Sequence, residues 1–220
     1  MSAVLRIEIH SYWHAGTGRG GAAVVDALVA RTDEGLPLLP GRTVKGLLRQ
    51  AAELAEQAGR VPDGATEFWF GTDIDRSVAG ADDSDIATDE AFERALDERR
   101  FLTRAGHLHI TTAELGRPGT DAGVWRQWAA QAARDKGFLV STFASTRLDE
   151  DGCAKDKSLR AIEVAVPMTL WASVRPTGGG EAFQGCNWRD MLSMACCFVD
   201  CLGSHRHRGL GRVSLGLEAA

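Results

Sequence analysis

The chain has 220 residues, of which 44% are hydrophobic and 25% are charged, and its formal net charge is −5. This composition is typical of a folded soluble protein and excludes a disordered or fibrous chain. No apolar run approaches the ~20 residues of a membrane span, and the N-terminus lacks a signal-peptide layout. We therefore expect a cytoplasmic protein that does not contact a membrane.

The charge is unevenly distributed along the chain. Residues 61–98 contain twelve acidic and two basic residues, a charge of −10, so the remainder of the chain carries +5. The sequence therefore predicts an acidic insert attached to a basic body, and the negative total does not exclude an anionic partner for that body.

The cysteines do not predict a metal site. No C-x-x-C pair occurs, and three of the five lie in one apolar helical run. Reduced, mostly buried thiols are therefore expected rather than zinc ligands. The five are Cys153, Cys186, Cys196, Cys197 and Cys201.

The N-terminal segment predicts a strand followed by a glycine-rich loop. Residues 4–10 alternate between apolar and polar side chains, as a strand does. Four glycines then fall within residues 16–21, after His14, so backbone N–H groups could approach an anion closely. Because no helix is predicted to open on this loop, it is not a dinucleotide-binding fingerprint.

Asp26 is the one acidic residue in the apolar run 24–30. A lone carboxylate seldom faces a core without a partner. Two interpretations stay open: an outward-facing residue of an edge strand, or a carboxylate placed in a cleft for metal binding or general-base chemistry. The run leads through a turn at 33–35 towards Pro40-Gly41, as a short hairpin would.

Pro40-Gly41 predicts a turn and then an amphipathic helix to about Ala58, with Thr43 as its N-cap. The face expected to be buried consists of Val44, Leu47, Leu48, Ala51, Leu54, Ala55 and Ala58. A second face carries a basic row: Arg42, Lys45 and Arg49. That row is either a solvated face or a surface that meets phosphates.

An insert is predicted at about residues 60–100. Its apolar segment 68–71 is expected to dock on the body, 77–89 is acidic and rich in small residues, and 90–100 is compatible with a short charged helix.

A strand is predicted at 106–113, where His107 and His109 share a face. Two histidines at this spacing can bind a metal, but no third ligand is apparent. Loop and helix follow at 117–138, with Trp125 and Trp128 as expected packing anchors.

The second half predicts a projecting hairpin and then a repeat of strand, helix and strand. The hairpin, at about 140–160, carries Arg147, Lys155, Lys157 and Arg160. Strands are expected at 161–166 and 170–174. Asn187 is the expected N-cap of a helix that ends at Gly203, and a last strand starts at Val213.

The loop before that last strand concentrates cations around glycines: His205, Arg206, His207, Arg208, Gly209, Gly211 and Arg212. A flexible solvated turn is one interpretation. The absence of acidic residues within the loop favours an anionic ligand.

Without the insert and the hairpin, the predicted order is β-α-β-β-α-β, which is the ferredoxin-like pattern of the α+β class. We expect a single domain over residues 1–220. RNA-recognition domains share this topology, but their aromatic signature is absent here.

The segment Gly35-Leu-Pro-Leu-Leu-Pro-Gly-Arg-Thr-Val-Lys-Gly-Leu-Leu-Arg49 resembles a motif of the RAMP superfamily of CRISPR-associated proteins. Other similar elements are Gly16-x-Gly18, Asp26, Phe70-Gly71, Gly106-x-Leu108-x-Ile110, the stretch from Thr146-Arg147 to Glu163-Val164, and Arg208-Gly-Leu-Gly-Arg212. The chain looks most similar to the repeated backbone subunit of type III effector complexes. Arg42 departs from the small hydroxyl residue usual in the family, and the acidic insert is distinctive.

The resemblance implies an antiviral ribonucleoprotein subunit that assembles with copies of itself and with other effector subunits along a guide RNA. The hairpin would act as a thumb that kinks the guide–target duplex. Asp26 would make the protein an endoribonuclease for complementary target RNA, with a divalent cation such as Mg²⁺ rather than a permanent structural metal. The RNA-binding residues it implies are His14, Arg19, Arg42, Lys45, Arg49, Arg147, Lys155, Arg160, Arg206, Arg208, Gly209, Gly211 and Arg212.

Three other functions stay open at this point. The chain could be a non-catalytic RAMP assembly subunit, in which Asp26 is structural. A guide-RNA processing endonuclease would use a histidine, for which His14 is the candidate. A small-molecule-binding domain of ferredoxin-like fold would leave the three basic clusters unexplained.

Overall fold

The computed structural model describes residues 2–16, 18, 26–72, 104–119, 128, 131, 138–147, 149–155 and 158–219. The elements of this part of the chain are β1 (Ala3–Ile9), α1 (Gly41–Gln57), α2 (Ala65–Phe70), β2 (Leu108–Ile110), β3 (Val140–Ser145), β4 (Arg160–Ala165), β5 (Thr169–Pro176), β6 (Ala182–Phe183), β7 (Cys186–Asn187), α3 (Trp188–Cys196) and β8 (Val213–Ala219). Most of the predicted acidic insert, together with Arg19, Trp125 and Lys157, lies outside the described residues.

Four strands form an antiparallel sheet in the order β2-β5-β1-β8. Leu5 on β1 lies opposite Ala172 on β5 and Leu217 on β8. Because both neighbours of β1 run antiparallel to it, β5 and β8 begin at the end of the sheet where β1 finishes. The α+β class predicted from the sequence is confirmed.

The core lies between one face of this sheet and helices α1 and α3. Ile7 of β1 belongs to the same buried cluster as Leu48 of α1 and Met191 of α3, and all three side chains are fully buried. The amphipathic pattern of α1 is confirmed, since its buried residues are Val44, Leu48, Ala51, Ala52 and Ala55. Leu54, at the edge of the predicted apolar stripe, is 45% exposed.

The Pro40-Gly41 turn sets α1 against the end of β2. A Cβ on Gly41 would lie 2.8 Å from the carbonyl oxygen of Ile110, so only glycine fits here without a shift. The prediction of Thr43 as N-cap is wrong. The helix already begins at Gly41, and the Thr43 N–H donates to the Pro40 carbonyl at 2.8 Å inside the first turn.

Two other local predictions are confirmed. Trp69 is fully buried and its Nε1–H donates to the Gly180 carbonyl at 2.9 Å, so the apolar segment 68–71 docks on the body. The Asn187 side chain accepts hydrogen bonds from the backbone N–H groups of Arg189 and Asp190, both at 2.9 Å, and caps α3.

The predicted end of α3 is wrong. The helix stops at Cys196 rather than at Gly203, which instead has a φ of +77° in the following loop. A Cβ on Gly203 would lie 2.3 Å from the carbonyl oxygen of His14. This glycine therefore permits a close approach between two loops instead of ending a helix.

Strands β3 and β4 form a hairpin, with Thr142 opposite Glu163. The hairpin predicted at about 140–160 thus extends through the strand predicted at 161–166, which pairs with β3 in a separate two-stranded sheet. Trp128, expected to be a packing anchor, is 51% exposed. Among the described residues, no helix is both long and apolar enough to cross a bilayer.

Candidate nucleic-acid interface

Strand β4 joins three separate segments of the chain. On one side it pairs with β3. On the other side, Trp13 exchanges two backbone hydrogen bonds with Ala165, at 3.0 and 2.8 Å, and the Glu163 N–H donates to the Ala27 carbonyl at 3.0 Å. The loop after β1, the segment that contains Asp26 and the projecting hairpin are thus held together by one strand.

Asp26 is exposed and makes two hydrogen bonds to Ala161 on β4. Its backbone N–H donates to the Ala161 carbonyl at 2.7 Å, and its Oδ2 accepts from the Ala161 N–H at 2.8 Å. The carboxylate therefore faces solvent near the loop end of the hairpin rather than a core, as both open interpretations allowed. Oδ2 accepts this backbone hydrogen bond, and Oδ1 accepts none from the described residues.

Glu163 of β4 fixes the chain on either side of this contact. Its Oε1 accepts from Arg31 Nη2 at 2.8 Å, and its Oε2 accepts from the Val29 N–H at 3.1 Å. The side chains of Arg31 and Glu163 are 28% and 17% exposed, so the ion pair is partly shielded from water. Asp26 and the residues up to Arg31 are consequently tied to β4 at both ends.

His14 is buried, with 4% of its surface exposed. Its Nδ1 lies 2.6 Å from the Glu163 carbonyl oxygen, and because a carbonyl only accepts, Nδ1 carries the proton in this contact. Nε2 would be 2.9 Å from a Cβ on Gly16, so the ring is enclosed on that side as well. A buried ring cannot reach a phosphodiester in this conformation, which argues against His14 as the base of a processing endonuclease.

The cationic C-terminal loop packs on the same region. The Ser204 N–H donates to the His14 carbonyl at 3.0 Å, and the Gly211 N–H donates to the Tyr12 carbonyl at 2.7 Å. A Cβ on Gly211 would lie 1.9 Å from the Leu202 carbonyl oxygen, so this glycine permits the loop to close on itself.

Leu210 connects this loop to the Asp26 segment through side chains. It is 7% exposed and clusters with Ile162 and Val164 of β4 and with the partly buried Ala27. The cluster places the loop on β4 beside the residue that follows Asp26. Arg206, Arg208 and Arg212 of the loop are all exposed.

A cleft of about 690 Å³ opens beside the loop. It is lined by His10, Asp200, Cys201, Arg206, Gly209, Leu210, Arg212, Val213 and Ser214. His10 Nε2 lies 2.7 Å from Ser214 Oγ at its wall. Two guanidinium groups, an imidazole and a hydroxyl provide donors for an anion in this space.

The three cations of the basic row on α1 differ in their exposure to solvent. Arg42 is exposed, whereas Lys45 and Arg49 are half-buried. Arg49 Nε binds Glu53 Oε1 at 3.3 Å, one helical turn further on. The pKa of Lys45 is lowered, mainly by burial and to a smaller extent by the positive charge of Arg49. A bound anion beside Lys45 would raise that pKa again, because it favours the charged form.

The tip of the hairpin presents further cations to solvent. Arg147, Lys155 and Arg160 are exposed. The Lys155 N–H donates to the Arg147 carbonyl at 2.8 Å, which closes the tip. Arg160 directly precedes Ala161 in β4 and pairs with Ser145 of β3.

The structure therefore brings Asp26, the hairpin and the cationic loop together on β4. The start of α1 is not part of this convergence: Gly41 lies against Ile110, whose partner Val174 is opposite Ala3 at the beginning of β1, whereas the cationic loop pairs beyond the other end of β1. Sequence reasoning missed Arg31 and Glu163, because an arginine and a glutamate far apart in the chain give no local signal. It also missed His10 and Ser214, which only the pairing of β1 with β8 places together.

The described residues contain no group of three His, Cys, Asp or Glu side chains placed to bind a metal ion. The histidine pair does not form one. His107 Nδ1 is 3.0 Å from the Thr177 carbonyl oxygen, and its ring stacks on Phe68 at 4.4 Å, whereas His109 is exposed.

Comparison with known proteins supports the resemblance seen in the sequence. The model of the RAMP superfamily matches residues 6–97. These residues include Asp26 and the Pro40-Gly41 segment with its basic helix, so the resemblance to the superfamily is confirmed over this part of the chain. No curated protein matches the chain.

Solved structures match over almost the whole chain. One is a cryo-EM structure of the type III-B Cmr-beta bound to cognate target RNA, with a TM-score of 0.53, 12% identity, and 99% of this chain and 97% of that chain covered. A second is the apo state of type III-B Cmr-beta, with a TM-score of 0.52, 12% identity and the same coverage. At this identity the likeness concerns the fold.

Proposed function

We propose that this protein is a guide-RNA-binding backbone subunit of a cytoplasmic type III CRISPR interference complex, and that it cleaves complementary target RNA through Asp26. The convergence of Asp26, the hairpin and the cationic loop on β4 carries the proposal. A ferredoxin-like core is part of it, supported by the strand order β2-β5-β1-β8. The likeness to Cmr-beta, one structure of which holds target RNA, supports the class of complex.

Guide binding falls to the exposed cations. Arg206 and Arg212 line the cleft, and Arg42 stands at the start of α1. Guanidinium groups bind phosphates in a fork geometry that does not depend on base identity. Base pairing between guide and target then supplies the sequence specificity.

In this proposal, cleavage requires that the Asp26 carboxylate lie beside a phosphodiester of the bound target RNA. Asp26 accepts the proton of a ribose 2′-hydroxyl; the 2′-oxygen bonds to phosphorus while the bond to the 5′-oxygen breaks, and the departing oxygen takes a proton from water. The two hydrogen bonds to Ala161 orient the carboxylate. An exposed cation of the hairpin, such as Arg160, would offset the charge that develops on the phosphate.

A Mg²⁺ ion fits this arrangement only as a shared ion. Among the described residues, Asp26 Oδ1 accepts no hydrogen bond, and Mg²⁺ at phosphate sites is commonly held by one or two carboxylates with substrate oxygens and water. Asp26 would hold the ion together with phosphate oxygens of the target. When bound, the ion supplies charge neutralisation at the phosphate.

The experiment uses the assembled complex with its guide and a labelled complementary RNA. Asp26→Ala should abolish regularly spaced cuts while guide binding persists. Unchanged cleavage by this variant would remove Asp26 from the reaction. If the wild-type complex did not bind guide RNA, the whole proposal would be wrong.

A second candidate is a non-catalytic assembly subunit of the same kind of complex. The hydrogen bond from the Ala161 N–H to Asp26 Oδ2 favours it, because that contact gives the carboxylate a purely structural use. Wild-type complexes that bind target RNA and leave it intact would support this reading.

A further inference from the structure

The cleft beside the cationic loop lies on the face of the main sheet that points away from the helices. His10 directly follows β1, and its N–H donates to the Arg212 carbonyl at 2.8 Å. Ser214 of β8 lies opposite Glu8. Because side chains alternate between the two faces of a strand, these four share one face, and the intervening Val213 is buried in the core on the other.

A short segment closes the other side of the cleft. The Leu202 N–H donates to the Gly211 carbonyl at 2.8 Å, and the Val213 N–H donates to the Asp200 carbonyl at 2.9 Å. This segment thus runs beside the start of β8 and brings Asp200 and Cys201 to the cleft wall. The pKa of the Cys201 thiol is raised, first by burial and then by its hydrogen bond to Asp200, so the thiol is neutral there.

The lining of the cleft carries both signs of charge, which suits a ribonucleotide better than a bare phosphate. Arg206 and Arg212 supply cationic donors, and Asp200 supplies a carboxylate. Guanidinium groups bind a phosphate, whereas a carboxylate repels one but accepts a hydrogen bond from a sugar hydroxyl. The cleft volume of about 690 Å³ lies within the range of ~300–1,000 Å³ for small-ligand sites. A phosphate and its ribose can therefore occupy it together.

The Ser214 hydroxyl keeps hydrogen-bonding capacity in this cleft. Among the described residues its Oγ has one hydrogen-bond partner, His10 Nε2 at 2.7 Å. If Ser214 donates to His10, both lone pairs of Oγ stay available. If it accepts from His10, one lone pair and the hydroxyl proton stay available. Glu8, which lies opposite Ser214, is paired with Arg6 at 2.7 Å instead.

We propose that Ser214 and His10 bind the 2′-hydroxyl of a guide nucleotide, so that the cleft selects ribose over deoxyribose. The 2′-hydroxyl both donates and accepts hydrogen bonds, and it is the group that distinguishes RNA from DNA. It stands on the ribose carbon next to the one that carries the 3′-phosphate. Arg212 and Ser214 are about 7 Å apart on one face of a strand, so one can hold the phosphate while the other holds the neighbouring hydroxyl.

This selectivity rests on the proposed function, because guide RNA is the ligand, and it adds a preference that phosphate contacts alone do not give. Single strands of RNA and DNA carry the same phosphates, so guanidinium groups alone hold both. A hydrogen bond to the 2′-hydroxyl forms only with RNA. The loss of this bond should therefore change the ratio of the two affinities.

The test uses two short single strands of one base sequence, an RNA and a DNA with deoxyuridine in place of thymidine, so that only the 2′-hydroxyl differs. Their binding to the whole chain is measured by fluorescence anisotropy at low salt, where phosphate contacts are strongest. The wild type should bind the RNA more tightly than the DNA. Ser214→Ala should weaken RNA binding about 2- to 10-fold, the range for one hydrogen bond between neutral groups, and leave DNA binding unchanged.

Matched variants separate the hydroxyl contact from other effects of substitution. Ser214→Thr keeps the hydroxyl and should keep the preference for RNA, whereas His10→Leu removes the ring nitrogens and should reduce it. Ser193→Ala removes an exposed hydroxyl on α3 and should change neither affinity. Arg206→Gln should weaken both strands to the same extent, because it contacts a phosphate that RNA and DNA share.

The outcomes distinguish a failure of the selectivity from a failure of the proposed function. A wild type that binds neither strand overturns both. A wild type that binds the two strands equally, or a Ser214→Ala variant that keeps the wild-type preference for RNA, overturns the selectivity alone. Equal losses of RNA and DNA binding in Ser214→Ala also overturn it, because the hydroxyl would then have only a structural role.

Discussion

Asp26 and Ala161 exchange two hydrogen bonds, one between backbone groups at 2.7 Å and one from the Ala161 N–H to the Asp26 carboxylate at 2.8 Å. The contact joins positions 135 residues apart. The Asp26 side chain therefore has a structural role, and a test of its catalytic role must keep that hydrogen bond while it removes the carboxylate charge.

Asp26→Asn makes that separation. The asparagine amide oxygen can accept from the Ala161 N–H, so the segment should keep its position while the charge is lost. We expect unfolding in urea to be unchanged for Asp26→Asn, whereas Asp26→Ala should lose about 1 kcal/mol with the hydrogen bond. Target cleavage should be abolished in both variants. A fully active Asp26→Asn complex would exclude a role for the carboxylate charge.

More of the fold than of the candidate site could be predicted from the sequence. The strands β1, β4, β5 and β8 were predictable because each alternates or runs apolar over several residues, and α1 because its apolar residues recur at helical spacing. The start of α1 was misplaced since the deciding contact, Gly41 against Ile110, lies between segments far apart in the chain.

Within the site, the sequence pointed to Asp26 and the cationic loop by their unusual composition. It did not predict the burial of His14, because burial depends on the loop at Gly203 folding back over it. Nor did it predict that Arg49 would have Glu53 as a partner, although the spacing of one helical turn permits that ion pair.

The Arg31–Glu163 ion pair leads us to expect that Glu163, which is not one of the predicted RNA-binding residues, helps to hold Asp26 in place. Glu163→Gln keeps an acceptor for the Val29 N–H but removes the charge opposite Arg31, at a cost of about 1 kcal/mol for this partly shielded pair. Hydrogen exchange at the amides of Asp26 and Ala27 should quicken more than exchange in α3. A double-mutant cycle with Arg31→Met measures the coupling, and additive effects would show that the pair contributes nothing.

Glu56 predicts a dependence of stability on pH. Its Oε1 accepts from the Gly64 N–H at 2.8 Å and its Oε2 from the Thr66 N–H at 3.0 Å, at the start of α2. Burial raises the pKa of this carboxyl, but hydrogen bonds from Thr66 and Gly64 outweigh it, and the pKa is lowered overall.

A lowered pKa in the folded state stabilises the protein above the pKa of the unfolded chain, and that stabilisation is lost as pH falls through the folded-state value. The free energy of unfolding should therefore decline on acidification, and the decline should be smaller in Glu56→Gln. Urea titrations at pH 7 and at about pH 4 would measure it. Equal pH dependence in both proteins would mean that Glu56 does not contribute.

Two glycines of α1 predict opposite effects of the same substitution. Gly41→Ala should destabilise the protein by about 1–3 kcal/mol, because the added Cβ would lie 2.8 Å from the Ile110 carbonyl oxygen. Gly46 is exposed, and outside its own helix backbone a Cβ there meets no atom of the described residues within 4 Å, so Gly46→Ala should stabilise by about 1 kcal/mol through helix propensity. Thermal or urea unfolding of both variants measures the two changes in stability. If Gly46→Ala were destabilising as well, the prediction that this position has room for a side chain would be wrong.

The cleft beside the cationic loop predicts how RNA binding responds to salt. Arg206 and Arg212 line it, and each phosphate contact that is lost should reduce the slope of log K against log salt by about 1. Arg206→Gln and Arg212→Gln should therefore weaken binding of guide RNA similarly for all sequences and flatten its salt dependence. Arg117→Gln is the control, since Arg117 lies over Trp171 on the face of the sheet away from the helices and binds Glu218. A salt slope that is unchanged in both loop variants, or reduced as much in the control, would place the guide elsewhere on the protein.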